Sequence, residues 1–188
     1  MILLALACTG STPEAPQAPA PAPVAEPASG TPVTPDGPPF TAEQIRDAMP
    51  AGQVVRWRYD IGPNTTTVEW RVRAADATSM TLESRPPGSV DVSTWEALRD
   101  HGVFPAASTT LEVGVPLTTG LGDLITRKYV VTDGSEVKTY WFADAYPGPP
   151  VQHDVSVDGR RTFHMEQIAR ERVDPASWEP LPSPPQSE

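Results

Sequence analysis

The sequence has one cysteine, three histidines and no concentration of basic residues, and each shortage removes a class of function. A single cysteine cannot form an intrachain disulfide. Zinc takes further sulfur or imidazole ligands, and the chain offers neither a second cysteine nor an HExxH pair. The formal charge is −10, and all 14 basic residues fall between Arg46 and Arg172 without forming a block. Phosphate recognition needs a concentrated basic face, so the charge distribution argues against nucleic acid as a partner. There is no GxSxG nucleophile elbow. Gly120 and Gly122 sit in a loop that lacks both GxGxxG and a following Lys-Ser/Thr, so they do not build a phosphate cradle. Carboxylates are numerous but scattered. No catalytic residue, metal ligand or cofactor is assigned, and the chain reads as a non-enzyme.

Large apolar residues are scarce at both ends. Ten of the 24 prolines lie within residues 1–40 and five within 174–188. Such segments cannot offset the entropy of ordering them. Residues 8–39 are therefore expected to be a disordered Pro/Ala-rich tether and residues 173–188 a disordered Pro-rich tail. A polyproline-like spacer rises about 3.1 Å per residue, so the tether could reach on the order of 90 Å. Residues 40–172 remain, enough for a single β-rich domain with one core.

The chain opens Met1-Ile2-Leu3-Leu4-Ala5-Leu6-Ala7-Cys8. A short apolar run, a small residue and then cysteine resembles the lipobox of bacterial lipoprotein signals, with Ala5 where leucine is usual. The resemblance implies that residues 1–7 are a signal remnant and that Cys8 becomes a diacylated N-terminus. Acyl chains then serve as the anchor, and no spanning helix is needed. No Lys or Arg precedes the run and seven residues are few for a signal, so the true start is expected upstream or the N-terminus to be truncated. Thr9, not Asp, follows the cysteine. In such lipoproteins that implies a lipid-anchored protein of the cell envelope, at the outer membrane and facing the periplasm.

Within the folded part, Thr41 and Gln44 have the spacing of a capping box, with Phe40 and Ile45 as its staple, and predict a short helix ending near Met49–Gly52. The period then changes to two. Val55, Trp57, Tyr59 and Ile61 alternate with Arg56, Arg58 and Asp60. Val68, Trp70 and Val72 alternate with Glu69, Arg71 and Arg73. This predicts an antiparallel meander whose outer arginines meet Asp60 and Glu69 as cross-strand charge pairs. Arg85-Pro86-Pro87-Gly88 breaks the sheet, and Ser93 to Glu96 reads as a second capping box leading a helix through Leu98 to His101-Gly102. That helix is expected over one opening of the sheet. Further strands follow at Leu111–Leu117 and Ile125–Val131, where Arg127 shares parity with apolar neighbours and points to an inward arginine or a bulge. Val137, Thr139, Trp141 and Ala143 are taken as the inward parity of the next strand. The expected fold is mainly β with minor α: an antiparallel curved sheet or half-barrel of about eight strands with one or two short helices.

Two histidines, His153 and His164, flank the turn at Asp158-Gly159. A two-residue loop would pair them and invite a metal. A three-residue loop, Val157 to Gly159, would instead match the apolar faces and put the histidines on opposite sides. The second register is preferred. The remaining positive signal is aromatic. Trp57, Trp70, Trp95 and Trp141 occupy apolar parities or a helix face, and Trp57, Trp70 and Trp141 are the candidates to line a hydrophobic cavity.

The order of a strand with Trp141-Phe142-Ala143, then Pro147-Gly148-Pro149-Pro150-Val151, a strand, Asp158-Gly159 and a last strand resembles the closing part of LolA/LolB-like periplasmic carrier domains. It covers roughly Ile125 to Ile168. The resemblance implies a half-barrel with a helical lid and an apolar cavity, hence an amphiphile or lipid as ligand. The competing expectation is a structural or adaptor lipoprotein that docks to another envelope protein.

Overall fold

Period-two alternation governs most of the chain and produces one open, curved antiparallel sheet. The computed structural model describes residues 31–33, 35–86 and 88–179. Cys8, the signal remnant and most of the proposed tether lie outside the described residues, as do residues 180–188 of the tail.

The strands are β1 (Thr31–Val33), β2 (Gln53–Ile61), β3 (Asn64–Ala75), β4 (Ser79–Arg85), β5 (Ser89–Thr94), β6 (Thr109–Thr119), β7 (Gly122–Asp133), β8 (Glu136–Ala143), β9 (Gln152–Val157) and β10 (Arg160–Arg172). Their spatial order is β1-β6-β7-β8-β9-β10-β2-β3-β4-β5. Two meanders, β2–β5 and β6–β10, join along β10 and β2. The chain must therefore travel from the β5 edge to the far side of the sheet before β6 begins. That connection holds α2 (Trp95–Asp100), and α1 (Ala42–Ala48) precedes β2. The two helices pack against each other. Both contribute to the core on the concave face of the sheet, through Ile45 on α1 and Trp95 on α2.

Local chemistry explains the helix starts. Thr41 Oγ1 accepts from the Gln44 N–H at 3.1 Å, and the Gln44 side chain accepts from the Thr41 N–H at 2.8 Å, a complete capping box. At α2 the cap is Thr94, one residue later than the sequence pattern proposed; its hydroxyl accepts from Ala97 and no reciprocal bond forms. Three further boundaries differ from expectation. Thr31–Val33, inside the stretch assigned to the tether, pairs with Leu111–Val113 of β6. Ser89–Thr94 pairs with β4 as a hairpin, because Arg85–Gly88 turns the chain without ending the sheet. Val173–Glu179, assigned to a disordered tail, is ordered: Val173 N–H donates to Gly52 O at 2.9 Å, and Trp178 lies against Arg73 and Arg71 at 5.0 and 5.6 Å.

The outer face of β2–β4 is a self-neutralising charge ladder, as the alternation implied. Glu69 is shared by Arg56 (2.9 Å) and Arg71 (2.5 Å), and Glu83 by Arg73 (2.7 Å) and Arg85 (2.6 Å). Burial pushes the Glu69 carboxyl up, but hydrogen bonds from the two arginines outweigh it and hold the group below the usual range.

Arg127 meets both expectations. It sits opposite Val113, just before a bulge at Gly114, whose φ of 75° suits a residue without Cβ. Its guanidinium covers the Phe40 ring at 5.5 Å, donates to Pro39 O at 2.6 Å and pairs with Asp144.

Candidate functional site

A cavity of about 510 Å³ lies between the hollow of the sheet and the two helices. This falls inside the range of about 300–1,000 Å³ common for small-molecule sites. Trp70, Met80 and Leu82 form its wall on β3 and β4; Tyr140 and Phe142 form it on β8; Leu98 and Phe104 line it from the α2 connection. Phe104 is held by Tyr129 and Tyr140 at centroid distances of 5.0 and 4.9 Å. The polar residues of the wall, Asp91, Ser93, Arg99 and His101, come from β5 and the α2 segment. Arg99 is engaged with Asp100 at 2.7 Å. Burial raises the phenol pKa of Tyr140, which lines this space, and of Tyr129, which packs behind Phe104 and Phe142, so both rings are neutral.

Of the three candidate tryptophans, only Trp70 is in the cavity wall. Trp57 shares its face of the sheet but lies behind it, fully buried, with ring centroids 4.9 Å apart. It belongs to a second cluster with Val55 and Met165. Trp141 is on the other face. Its neighbours Tyr140 and Phe142 point into the hollow, and alternation turns Trp141 away. Both parities of β8 end in aromatic residues, so periodicity could not choose between them. Packing of Phe142 against Tyr129 (5.6 Å), Phe40 (6.1 Å) and Phe104 (6.3 Å) decides it.

The Asp158-Gly159 hairpin follows neither register weighed from the sequence. Val157 pairs with Arg160 across a two-residue loop, with φ of 50° and 73° at Asp158 and Gly159, the conformation of a type I′ turn. A bulge at Thr162 then shifts the ladder, so His153 faces Met165 and His164 faces Asp154. The histidines do fall on opposite faces. His153 stacks on Tyr140 at 4.2 Å and 10°, inside the hollow, where burial pushes its pKa down to about 4. His164 is outside, 2.5 Å from Asp154 and 3.5 Å from Glu166. Glu166 also accepts from Arg58 (2.6 Å) and from the Gly120 N–H (2.7 Å), so this group ties the β6–β7 hairpin tip to the sheet. Among the described residues, no three His, Cys, Asp or Glu side chains are grouped to hold a metal ion.

The Tyr146–Pro150 corner also reaches the cavity. Gly148, Pro149 and Pro150 line it, and the buried Gln167 amide donates to Pro149 O (3.3 Å) and Pro150 O (3.2 Å). Gln167 therefore fixes the corner against β10, a role that the sequence did not suggest.

No protein-family model matches this chain, and no curated protein matches it. The reading of function therefore rests on the cavity.

Proposed function

We propose that this protein is a non-catalytic, lipid-anchored protein of the bacterial cell envelope whose β domain holds an amphiphile. The observation that carries the reading is the 510 Å³ cavity, partly open to solvent, walled mostly by apolar side chains and flanked by two short helices rather than by more sheet. A closed apolar core has no use for such space, whereas an alkyl chain transferred from water into it gains about 0.8 kcal/mol per buried methylene. Phe104 and Leu98 sit on a connection and a six-residue helix, which can shift more readily than a strand inside the sheet. Anchoring through Cys8, at the outer membrane and facing the periplasm, rests on the lipobox-like start, and the Pro-rich segment would let the domain stand off the bilayer. The resemblance to LolA/LolB-like carriers supports the same reading.

The test is uptake of the neutral hydrophobic fluorophore N-phenyl-1-naphthylamine by the full-length protein. Saturable fluorescence enhancement is expected, and Met80→Trp or Leu98→Trp, which fill the space, should abolish it while circular dichroism stays unchanged. Equal enhancement in the filled variants would show that the cavity is not the binding site.

A second reading has one observation in its favour. Strand β5 ends the sheet, with no further strand beside it among the described residues, and Val90 and Val92 are exposed. Such an edge can accept an extended segment of another envelope protein, as an adaptor would require. Failure of fluorophore uptake together with site-specific cross-linking from Val92 to an envelope protein would favour it.

A further inference from the structure

Among the described residues, six buried side-chain polar atoms have no hydrogen-bond partner, and five of them belong to Trp57, His153, Gln167 and Arg170. All four residues lie on the hollow side of the adjacent strands β9, β10 and β2. Gln167 is directly opposite Trp57, and His153 is opposite Met165, one place along the same face. Natural proteins leave few buried polar atoms unpaired, and several on one face require an explanation.

Arg170 reaches this face only because of an irregularity. Strict alternation from Gln167 would turn Arg170 outward. The register shift between Gln167 and Ala169 moves it by one place, so Arg170 sits opposite Val55 with its side chain inward. Bulges commonly re-aim a side chain beside a functional site. The guanidinium is covered by the Tyr146 ring at 5.3 Å, and no carboxylate of the described chain pairs with it. Burial lowers its pKa to about 10, in keeping with a cation out of water and without a counter-charge. Its orphaned atoms are Nε and Nη2. These two are the parallel donors that grip a carboxylate or phosphate in bidentate fashion. The indole N–H of Trp57, diagonal to Arg170, is a third donor on the same face.

The cavity ends beside this group. Met49 and Gly148 line it, and a Cβ on Gly148 would lie 3.0 Å from Met49 Sδ and 3.7 Å from Arg170 Nη2. Between the apolar space and the guanidinium stand a residue without a side chain and a flexible thioether.

We propose that the ligand is an anionic single-chain amphiphile, with its tail among Trp70, Met80, Leu98 and Phe142 and its acidic headgroup on Nε and Nη2 of Arg170. The inference rests on the amphiphile reading above and adds the charge of the ligand. Carboxylate and phosphate headgroups share the required chemistry.

The experiment measures binding of dodecanoate, dodecyl phosphate and dodecan-1-ol to the delipidated full-length protein, each below its micelle concentration. One or both anions should bind roughly tenfold or more tightly than the alcohol, the expected worth of a charged hydrogen-bonded contact. The tighter anion identifies the headgroup. In Arg170→Met that preference should vanish while affinity for the alcohol stays the same. Arg170→Lys, which keeps the charge and loses the fork, should fall between the two, and Trp57→Phe should weaken the anion a few-fold. Equal binding of anion and alcohol by the wild type, or a preference that survives in Arg170→Met, would overturn the headgroup site and leave the amphiphile reading standing. Binding of none of the three would remove both.

Discussion

Replacing Arg170 with methionine should make the ligand-free protein more stable, although most substitutions of buried residues do the reverse. Burial lowers the guanidinium pKa by more than two pH units, to about 10. At about 1.4 kcal/mol per pH unit, this corresponds to about 3 kcal/mol against the charged form in the fold. The loss on substitution is the contact with the Tyr146 ring, worth about 1–2 kcal/mol for a desolvated pair. Methionine replaces most of the apolar stem and can fill the same irregular space. The net gain is about 1–2 kcal/mol, or roughly 2–8 °C in melting temperature for a domain of this size. The sign fixes the pH window. The folded pKa lies below the unfolded one, so the penalty is complete below pH 10 and is relieved as pH rises beyond 10 towards the unfolded value. The wild type should therefore gain on the variant only in that alkaline range. Thermal unfolding of delipidated full-length protein at pH 7.5, followed by circular dichroism, gives the answer directly. A melting temperature lowered by several degrees in Arg170→Met would refute the reasoning, because it would mean that the folded chain itself pairs the guanidinium. Saturating dodecanoate should reverse the order, since a ligand that binds only the folded wild type stabilises it by mass action.

Three other perturbations follow from the same geometry. The His153 pKa of about 4 lies below its unfolded value of 6.5, so its contribution to stability is complete above pH 6.5 and is lost as pH falls towards 4. Allowing for partial exposure, the loss is about 1–2 kcal/mol; His153→Phe should flatten the fall in urea midpoint between pH 6.5 and 4. Gly120→Ala would place a Cβ 2.6 Å from Ile168 Cα and 2.9 Å from Ile168 O, so the β6–β7 tip must lift from Glu166. A cost of about 1–3 kcal/mol and faster amide exchange at Gly120 and Leu121 are expected; unchanged exchange would contradict the contact. Thr41→Ala should cost about 1 kcal/mol and loosen α1, read as faster exchange at Ile45 and Arg46 with β2 unaffected.

What could be read in the sequence was decided by local rules. The Thr41 cap, the β2–β3 meander and its arginine–glutamate face follow from spacing alone, and the structure has them as read. The open, curved sheet with minor helix also follows, because many short strands with one apolar face must curl around something. Strand β5 was missed because its pattern is inverted: Asp91 and Ser93 pair with Leu82 and Met80 on the hollow side, while Val90 and Val92 pair with Glu83 and Thr81 on the other and are exposed. Strand β1 was hidden in proline-rich sequence, where composition argues against order and only the edge of β6 supplies a partner. Trp141 was assigned inward because alternation gives two parities and no means of choosing when both are aromatic. The bulges mattered most. One unpaired residue at Thr162 changes the His153 register, and one at Ile168 turns Arg170 into the hollow, yet neither disturbs the run of residue types. The candidate headgroup site was therefore invisible to periodicity, and the unusual signal in hindsight is a lone arginine two residues after Ile168 in an otherwise apolar-faced strand.

Native mass spectrometry of the full-length protein, purified from membranes without detergent exchange, tests the central claim most directly. The cavity account expects a non-covalent adduct that leaves on activation, returns on addition of dodecanoate and is absent from Leu98→Trp with the fold intact. A wild-type protein that stays free of adducts, and remains so with dodecanoate added, would contradict it.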